Sequence, residues 1–441
     1  MVIIAAWLNF GPMKYVCSFI CLLIGITAFA QPKTDTLLQQ LLLRNTNPFL
    51  QQVLKQKDSF SVQVIYTQIN RNKNNQPDFK NYYFNVDTNL YFNPASTVKL
   101  PLAMLALEKL NQIKIKGVNK YTSLHIDSNY EKQIRVLHDS SSENNFPSIA
   151  HYIKKAFLVS DNDAYNRLYE FIGQQNINQS LHDKGYKSIR ITRQFLGLTA
   201  EQNRHTNPFH FLHTDGSLIY TQPAAYNTDS FYFGKTVKLG KAYYNSRDSL
   251  VNEPIDFTRV NNLPLKDLQQ ILQSVLFPSS VPAKQRFNLT DADYTFLYQY
   301  LSQFPSETNY PKYDSAEYYD SYVKFYFRNN QHQLPSYVRV FNKVGWAYGF
   351  LIDVSYVVDF KNKVEFMLTS TLYANSDGIL NDDKYDYETI GWPFLYELGQ
   401  TVYQYELQRK RKYQPDLKKF RLTYENRNLQ DKRPTIKNVD N

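Results

Sequence analysis

A serine and a lysine lie three positions apart where a turn-prone segment leads into an apolar run. The serine is Ser96, the lysine is Lys99, and the apolar, helix-forming run is Leu102–Leu110. If a helix begins near Ser96, the two side chains lie one turn apart on the same face. A serine hydroxyl is a weak nucleophile at neutral pH, and a neighbouring amine can accept its proton. Because Ser-x-x-Lys is a frequent chance pattern, it needs partners elsewhere in the chain.

Two further motifs contain suitable partners. Ser160–Asn162 lies in a short break between two predicted helices, and Lys343–Gly345 ends a predicted strand, with Trp346 next. A hydroxyl both donates and accepts protons, and a lysine supplies positive charge. A structural role stays open for each motif: Ser160 as part of a helix cap, and Lys343 as a surface lysine at the end of a strand.

The ordered set Ser-x-x-Lys, Ser-Asp-Asn and Lys-x-Gly is described for class A β-lactamases and penicillin-binding proteins. The flanking residues Phe92–Pro101 and Ser160–Asn166 extend the similarity. The chain therefore resembles the class A β-lactamase-like serine hydrolases of the penicillin-recognising family, over roughly residues 35–410. The resemblance implies a serine enzyme without metal or cofactor that acts on a small β-lactam or a peptidoglycan peptide.

The resemblance also implies the roles of the motif residues. Ser96 attacks an amide carbonyl and forms an acyl-enzyme, and Lys99 takes its proton directly or through water. Ser160 relays a proton to the leaving nitrogen, and Lys343 adds a positive field that attracts a substrate carboxylate. The residues expected to bind substrate are Asn162, Gly345 and Trp346; the N–H groups of Ser96 and Trp346 would form the oxyanion hole.

The sequence departs from the family pattern in the loop that follows the helical block. Ser188–Leu198 resembles the lead-in to that loop, but no glutamate follows Arg193 where the family places its deacylating base. Glu201 is the nearest candidate, in a segment that reads as exposed loop. Without a positioned base the acyl-enzyme should persist, which favours slow turnover or a transpeptidase-like enzyme.

Three further features set the chain apart. Val344 replaces a hydroxyl residue that binds a carboxylate, a loss of about 1.5–3 kcal/mol for a charge-assisted hydrogen bond. Trp346 would either narrow the cleft or offer a stacking surface. The segment between Arg193 and Lys343 is long and aromatic-rich; its histidines match no zinc pattern and are interpreted as loop residues, namely His205, His210 and His213 beside Asp215.

The apolar pattern predicts the elements that carry these motifs. Helical spacing predicts helices near 35–57 with a break at Asn47-Pro48, near Ser96, and at 148–158, 164–172, 265–276, 291–301 and 387–408. Alternation predicts strands at 60–69, 82–86, 337–344, 351–360 and 364–372, with a turn at 70–78. Residues 112–147 read as irregular. This order predicts an α+β fold, with an antiparallel sheet from both chain ends, flanking helices and an inserted all-α subdomain.

The N-terminal segment has the features of an export signal. Lys14 precedes the apolar run Tyr15–Phe29, and Ala28–Gln31 resembles a cleavage site. Met13 is a plausible true start; with residues 1–12 present, the apolar stretch lengthens and an uncleaved anchor becomes the alternative. We therefore expect a signal peptide at 1–30, a catalytic domain at 31–410 with insertions near 205–256 and 305–335, and a charged tail at 411–441.

Composition narrows the remaining classes. Both cysteines, Cys17 and Cys21, fall in the signal segment, so the mature chain should have no disulfide and no thiol nucleophile. An exported, disulfide-free chain fits a bacterial periplasm or cell surface. The net charge of +10 is spread along the chain without a nucleic-acid-binding motif, so a solvated basic surface is favoured over a nucleic-acid partner. A monomer is expected.

The function predicted from sequence is an exported serine hydrolase of β-lactamase type that acylates at Ser96, with response to antibiotic and β-lactam breakdown as its expected role. A D-alanyl-D-alanine carboxypeptidase or transpeptidase, or another serine peptidase or esterase of this fold, is the alternative among enzymes. A penicillin-binding sensor or interaction domain with little turnover is the non-enzyme alternative. The missing glutamate and Val344 argue against fast β-lactam turnover.

Overall fold

The computed structural model describes residues 33–439, so the predicted signal peptide, Met13 and both cysteines lie outside the described residues. The helices of this part of the chain are α1 (Thr36–Arg44), α2 (Pro48–Lys55), α3 (Lys99–Gln112), α4 (Ile149–Leu158), α5 (Asn162–Ile172), α6 (Gln174–Asp183), α7 (Leu265–Leu276), α8 (Asp291–Ser302) and α9 (Trp392–Gln408). Within residues 33–439, every helix is too short or too polar to span a bilayer.

The strands, again in chain order, are mostly short except for those of one sheet. They are β1 (Gln63–Arg71), β2 (Pro77–Phe84), β3 (Leu124–Ile126), β4 (Phe209–Leu212), β5 (Leu218–Gln222), β6 (Lys238–Leu239), β7 (Ala242–Tyr244), β8 (Leu250–Val251), β9 (Ile255–Asp256), β10 (Val338–Ala347), β11 (Phe350–Asp359), β12 (Val364–Tyr373) and β13 (Ile379–Leu380).

A five-stranded antiparallel sheet joins the two ends of the chain. Its strand order is β10-β11-β12-β1-β2, and β1 pairs with β12 from Gln63↔Thr371 onward. The β1–β2 turn is shorter than predicted, because pairing continues to Arg71↔Pro77. The predicted α+β class and the antiparallel sheet from both chain ends are confirmed. The sheet presents the C-terminal strand β10 at one edge.

Helices cover both faces of this sheet. One apolar cluster joins the sheet to α1, α2 and α9 and includes Tyr66, Val340 and Val344; the other joins it to the helical block α3–α8 and includes Ile65, Ile352 and Tyr356. Successive side chains of a strand point to opposite faces, so each strand contributes to both clusters. The three layers hold β10 rigidly beside the start of α3.

Local chemistry explains where several elements begin and end. The Asn47 side chain accepts hydrogen bonds from the N–H groups of Phe49 and Leu50, and Pro48 is the first residue of α2, which breaks the predicted helix 35–57 in two. Gly173, with φ of 88°, ends α5. The sequence pattern did not predict α6, whose buried apolar residues are only Ile177 and Leu181.

The long middle and final segments pack onto this framework. The segment near 205–256 contains β4–β9. Within 305–335, Tyr326 packs so closely on α9 that a Cβ on Gly399 would lie 2.7 Å from its carbonyl oxygen. Residues 411–439 lie against the body, where Leu417 and Phe420 are buried and Ile436 pairs with Tyr313.

Candidate active site

Ser96 lies in a tight turn that leads directly into α3. The turn Ala95–Val98 is a 3-10 helix, and Ala95 adopts a left-handed φ of 44°, a strained conformation for a residue with a side chain. The Asn93 side chain accepts a hydrogen bond from the Ala95 N–H (2.8 Å), and the Thr97 hydroxyl donates to the Pro94 carbonyl (2.6 Å). These bonds fix the turn and leave Ser96 half-buried, facing a cavity.

Lys99 occupies the position that the Ser-x-x-Lys spacing predicts. Its side chain is fully buried, and Nζ lies 2.8 Å from Ser96 Oγ. Nζ also donates to Asn162 Oδ1 at 2.8 Å and to the Ser160 carbonyl. The amine is therefore held against the Ser96 hydroxyl by groups from a second loop, within reach of its proton.

Ser160 is presented by the tight connection between α4 and α5. Its φ is 65°, and the next residue, Asp161, caps α5 by accepting from the Ala164 N–H at 2.7 Å. Asp161 also forms an ion pair with Lys155 (3.4 Å). Since Asp161 provides the cap, the Ser160 side chain is available for the cavity, which it lines together with Asn162.

Lys343 on β10 also contacts Ser160. Only 2% of Lys343 is exposed, and its Nζ donates to Ser160 Oγ (2.8 Å) and to the Val344 carbonyl (2.7 Å). Burial, and then the positive charge of Lys99, lower the pKa of Lys343 well below its ordinary value. Lys343 is thus a buried partner of Ser160 rather than a surface lysine, and it lies behind the residues that line the cavity.

The Ser160 hydroxyl is placed between two lysines. Its Oγ accepts from Lys343 Nζ at 2.8 Å and from Lys99 Nζ at 3.3 Å. A hydroxyl has two acceptor lone pairs and one proton. Because Ser160 Oγ accepts from Lys343, its own proton is directed away from Lys343, toward a group in the cavity.

Gly345 brings β10 into close contact with the Ser96 turn. A Cβ on Gly345 would lie 2.9 Å from both Pro94 O and Ser96 N, so only glycine permits this approach. Val344 is fully buried in the apolar cluster between the sheet and helices α1, α2 and α9. The Trp346 ring points to the same side of the sheet and packs against Tyr322 and Phe325, at ring-centroid distances of 6.0 and 5.8 Å. Gly345 thus allows the strand and the turn to pack closely. Trp346 lines the cavity mainly with its backbone, because its ring packs elsewhere.

The β10–β11 hairpin decides where the Trp346 N–H points. Tyr348 and Gly349 both have positive φ, which is the two-residue turn that closes on the pair Ala347↔Phe350. Bonded and non-bonded pairs alternate from there, so Trp346↔Leu351 is a non-bonded pair and its N–H points out of the sheet at the edge strand. Ser96, in the first turn of its helix, also lacks an intrahelical acceptor for its N–H.

A cavity of about 550 Å³ lies in front of these groups. Its lining comes from the Ser96 turn, the Ser160 loop, the segment after α6 and the β10–β11 hairpin: Asn93, Ala95, Ser96, Val159, Ser160, Asn162, Arg193, Gln194, Phe195, Leu196, Gly197, Trp346, Ala347 and Tyr348. Among these described residues there is no aspartate or glutamate. The side chains of Ser96, Ser160 and Asn162 thus face a cavity wall that contains no carboxylate.

Phe195 forms that wall, and its role was not recognised in the sequence. The Lys99 Nζ lies 5.3 Å from the centre of the Phe195 ring, which in turn stacks on Tyr165 at 4.2 Å. The Asn166 side chain accepts a hydrogen bond from the Phe195 N–H at 2.8 Å and so fixes the loop. The sequence offered one signal for this role: Phe195 lies two residues after Arg193, in the loop where the family places its deacylating glutamate.

Glu201 lies outside the cavity lining. Its side chain is 53% exposed and pairs with His205 (3.3 Å) and Arg204 (3.9 Å). His205 stacks on Tyr130, with ring centroids 3.6 Å apart, while the His210 ring bonds Thr221. Within residues 33–439, no cluster of three or more histidine, cysteine or acidic side chains is arranged to hold a metal ion.

Part of the chain is similar to a known protein family. Residues 47–225 match the model of the β-lactamase enzyme family, a stretch that includes the Ser96 and Ser160 motifs and ends before Lys343. The match confirms the resemblance to penicillin-recognising serine enzymes. No curated protein sequence matches the chain.

Several solved structures to which the chain is similar are β-lactamases. The class A β-lactamase of Clostridium kluyveri is 12% identical, with a TM-score of 0.42 over 80% of this chain and 98% of its own. A class A β-lactamase of the last common ancestor of Gram-negative bacteria is 15% identical, with a TM-score of 0.45 over 84% and 99%. The β-lactamase of Chitinophaga pinensis is 12% identical, with a TM-score of 0.44 over 81% and 99%.

Proposed function

We propose that this protein is a β-lactamase-like serine hydrolase, exported from the cell, that is acylated at Ser96 by a β-lactam or a related peptide amide. The contact of 2.8 Å between Ser96 Oγ and Lys99 Nζ at the cavity wall carries the proposal. A buried amine beside an accessible serine hydroxyl is an arrangement that nucleophilic catalysis requires. Export rests on the N-terminal sequence alone, and the periplasm or cell surface is the proposed location.

The acylation step follows from the geometry. Neutral Lys99 takes the proton of Ser96 while Oγ bonds to the carbonyl carbon of the substrate. The N–H groups of Ser96 and Trp346 donate to the oxygen as it gains negative charge. When the C–N bond breaks, the Ser160 hydroxyl gives its proton to the leaving nitrogen, and protonated Lys343 can restore it.

The second half of the reaction lacks an equivalent base. Hydrolysis of the ester at Ser96 needs a group that takes a proton from water, and among the described residues of the cavity lining none is a carboxylate. Phe195 faces Lys99 instead. This observation favours a long-lived acyl-enzyme, and with it a second candidate: a D-alanyl carboxypeptidase or transpeptidase, or a penicillin-binding sensor with little turnover.

Covalent labelling tests the proposal. Benzylpenicillin and a fluorophosphonate are incubated with the protein, and intact-mass and peptide spectra locate the adduct. We expect an adduct on Ser96 in the wild type, none in Ser96→Ala, and normal labelling in the control Ser249→Ala, whose serine is exposed on a distant loop. Equal spectra for wild type and Ser96→Ala would rule out Ser96 as the nucleophile.

A further inference from the structure

A second cavity lies directly beside the catalytic one and has no assigned role. Its volume is about 570 Å³, and it is lined in part by Tyr91 and Phe92, the residues that immediately precede Asn93 of the catalytic cavity. Phe92 and Ser96 are four positions apart, so their Cα atoms are at most about 14 Å apart. A ligand of a few residues therefore has the length to occupy both cavities.

The second cavity is strongly cationic. Four basic side chains line it, and Asp87 is the only acidic residue in its described lining; the four are Lys187, Arg190, Lys235 and Lys266. Within residues 33–439, none of the four is within salt-bridge distance of a carboxylate, although Lys235 donates to the Asn89 carbonyl at 2.7 Å. Uncompensated positive charge in a concave site favours an anionic ligand.

Two buried donors in this cavity lack partners. Gln63 is 1% exposed; its Oε1 accepts from the Asp87 N–H at 3.0 Å, but its Nε2 has no hydrogen-bond partner. The Nε of Arg190 is also buried and unpaired, with the guanidinium 5.3 Å from the Phe233 ring centre. Buried donors are normally satisfied, so these two point to an acceptor that enters the cavity.

The start of α7 adds to this field. Pro264, Leu265 and Lys266 line the cavity, and α7 has no side-chain cap at its N-terminus. The first N–H groups of a helix are free and carry partial positive charge, which suits a carboxylate or phosphate. Hydrogen-bond donors therefore surround the cavity: the N-terminus of α7, the lysines, Arg190 and the amide of Gln63.

Tyr91 connects this site electrostatically to the catalytic cavity. Burial raises the pKa of Tyr91 above its ordinary value, and the charges of Arg193 and Arg190 act in the opposite direction. Arg193 lines the catalytic cavity and Arg190 the second one. Both cations therefore act on one side chain, and each of them lines one of the two cavities.

We propose that the second cavity is an anion subsite that binds a carboxylate of the same peptide molecule whose carbonyl reacts at Ser96. The proposal rests on the proposed function for the identity of the reacting site. It assigns the substrate class: a peptide amide with an acidic side chain a few residues from the reacting carbonyl. Arg190 and Lys266 are the residues that bind the carboxylate.

Direct binding tests the subsite without any chemistry at Ser96. Isothermal titration of acetyl-triglutamate amide and acetyl-triglutamine amide is made with Ser96→Ala protein. We expect triglutamate to bind at least tenfold more tightly at low salt, with the difference reduced by added NaCl. The preference should vanish in Arg190→Gln/Lys266→Gln and persist in Lys114→Gln/Lys116→Gln, a double change of equal charge at exposed positions outside the cavity. Thermal melts establish that each variant is folded.

Three results would overturn the subsite. They are equal affinity for the two peptides, equal losses in both double variants, and binding of inorganic pyrophosphate without binding of triglutamate, which would mean a phosphate ligand. None of them bears on whether Ser96 is acylated. Conversely, triglutamate binding together with failure of penicillin labelling would reject the proposed function and leave only an anion site.

A second measurement links the subsite to the reaction. Two thioester acyl donors carry either two glutamate or two glutamine residues before the reacting carbonyl, and the rate of Ser96 acylation is followed by mass. We expect the acidic donor to acylate wild-type protein at least tenfold faster, and the two donors to react at similar rates in Arg190→Gln/Lys266→Gln. Equal rates in the wild type would show that the cavity does not serve the Ser96 substrate.

Discussion

The Ser160 hydroxyl depends on the protonation of Lys343. A protonated amine can only donate to Ser160 Oγ, and this bond directs the serine proton toward the cavity. Burial and the charge of Lys99 lower the pKa of Lys343 well below 10.5, so this ammonium loses its proton at a lower pH than an ordinary lysine does. Loss of that proton gives Lys343 a lone pair that can accept the Ser160 proton, and it removes the proton that Lys343 would return to Ser160.

The acylation rate should therefore fall as pH rises through the lowered pKa of Lys343. In Lys343→Arg the guanidinium stays protonated throughout, so its rate, although lower, should not fall over the same range. Penicillin labelling rates measured from pH 6 to about 10 check this expectation. Lys114→Arg should keep the wild-type profile; a parallel fall in Lys343→Arg would mean that another group titrates.

Phe195 explains the expected slowness of deacylation. Its ring faces Lys99 in a cavity whose described lining lacks a carboxylate. In Phe195→Glu a general base enters this wall, and we expect the lifetime of the acyl-enzyme to shorten by at least about tenfold. Decay of the penicillin adduct, followed by mass, measures this. Leu218→Glu adds the same charge at a 58% exposed position outside the cavity lining and should leave the lifetime nearly unchanged.

The sequence identified the polar residues of the site but not its wall. Short ordered motifs contain the four polar residues, and the structure brings the four side chains together; they are Ser96, Lys99, Ser160 and Lys343. The aromatic ring of Phe195 carries no motif, and its meaning depends on a loop held by Asn166. The buried position of Val344 was likewise invisible, because a strand's two faces are distinguished only once the helices are in place.

At the scale of elements, the site depends on how closely β10 approaches the Ser96 turn. In Gly345→Ala the new Cβ would lie 2.9 Å from backbone atoms of Pro94 and Ser96. We expect the free energy of unfolding to fall by about 1–3 kcal/mol and acylation to slow by about 100-fold, since the turn must move.

Urea unfolding and penicillin labelling of the same preparation measure both effects. Gly197→Ala is the matched stability control, because no atom lies within 4 Å of its Cβ, and its unfolding free energy should change by less than about 0.5 kcal/mol. If Gly345→Ala were as stable and as reactive as the wild type, the close approach would not be required.

Elements with strong periodicity were predicted well. Strands β10, β11 and β12 lie close to their predicted ranges, and α7 matches its predicted bounds. By contrast, α6 was missed because its sequence is polar apart from Ile177 and Leu181, and its helical state follows from docking rather than local pattern. Tertiary contacts also determine the turn before α3. This turn is a 3-10 helix that begins with the strained Ala95.

At the scale of the whole molecule, the C-terminal residues contribute to the core. Phe420 is 1% exposed, and its ring lies 4.8 Å from that of Tyr356 and 5.5 Å from that of Phe277. We expect Phe420→Ala to lower the free energy of unfolding by about 3–5 kcal/mol. Denaturant unfolding checks this, with Leu429→Ala, 91% exposed, as the control that should change little. A small effect of Phe420→Ala would separate this segment from the cooperative unit.

Under the proposed function, Ser96 is acylated while the described lining of its cavity offers no carboxylate to reverse the acylation. Rapid mixing with a chromogenic penicillin, with product and acyl-enzyme measured in the same samples, tests this most directly. We predict a burst of ring opening equal to one molecule per protein, accumulation of the Ser96 adduct and a steady-state rate far below the burst rate. Continuous product formation at the initial rate, without accumulated adduct, would contradict this account.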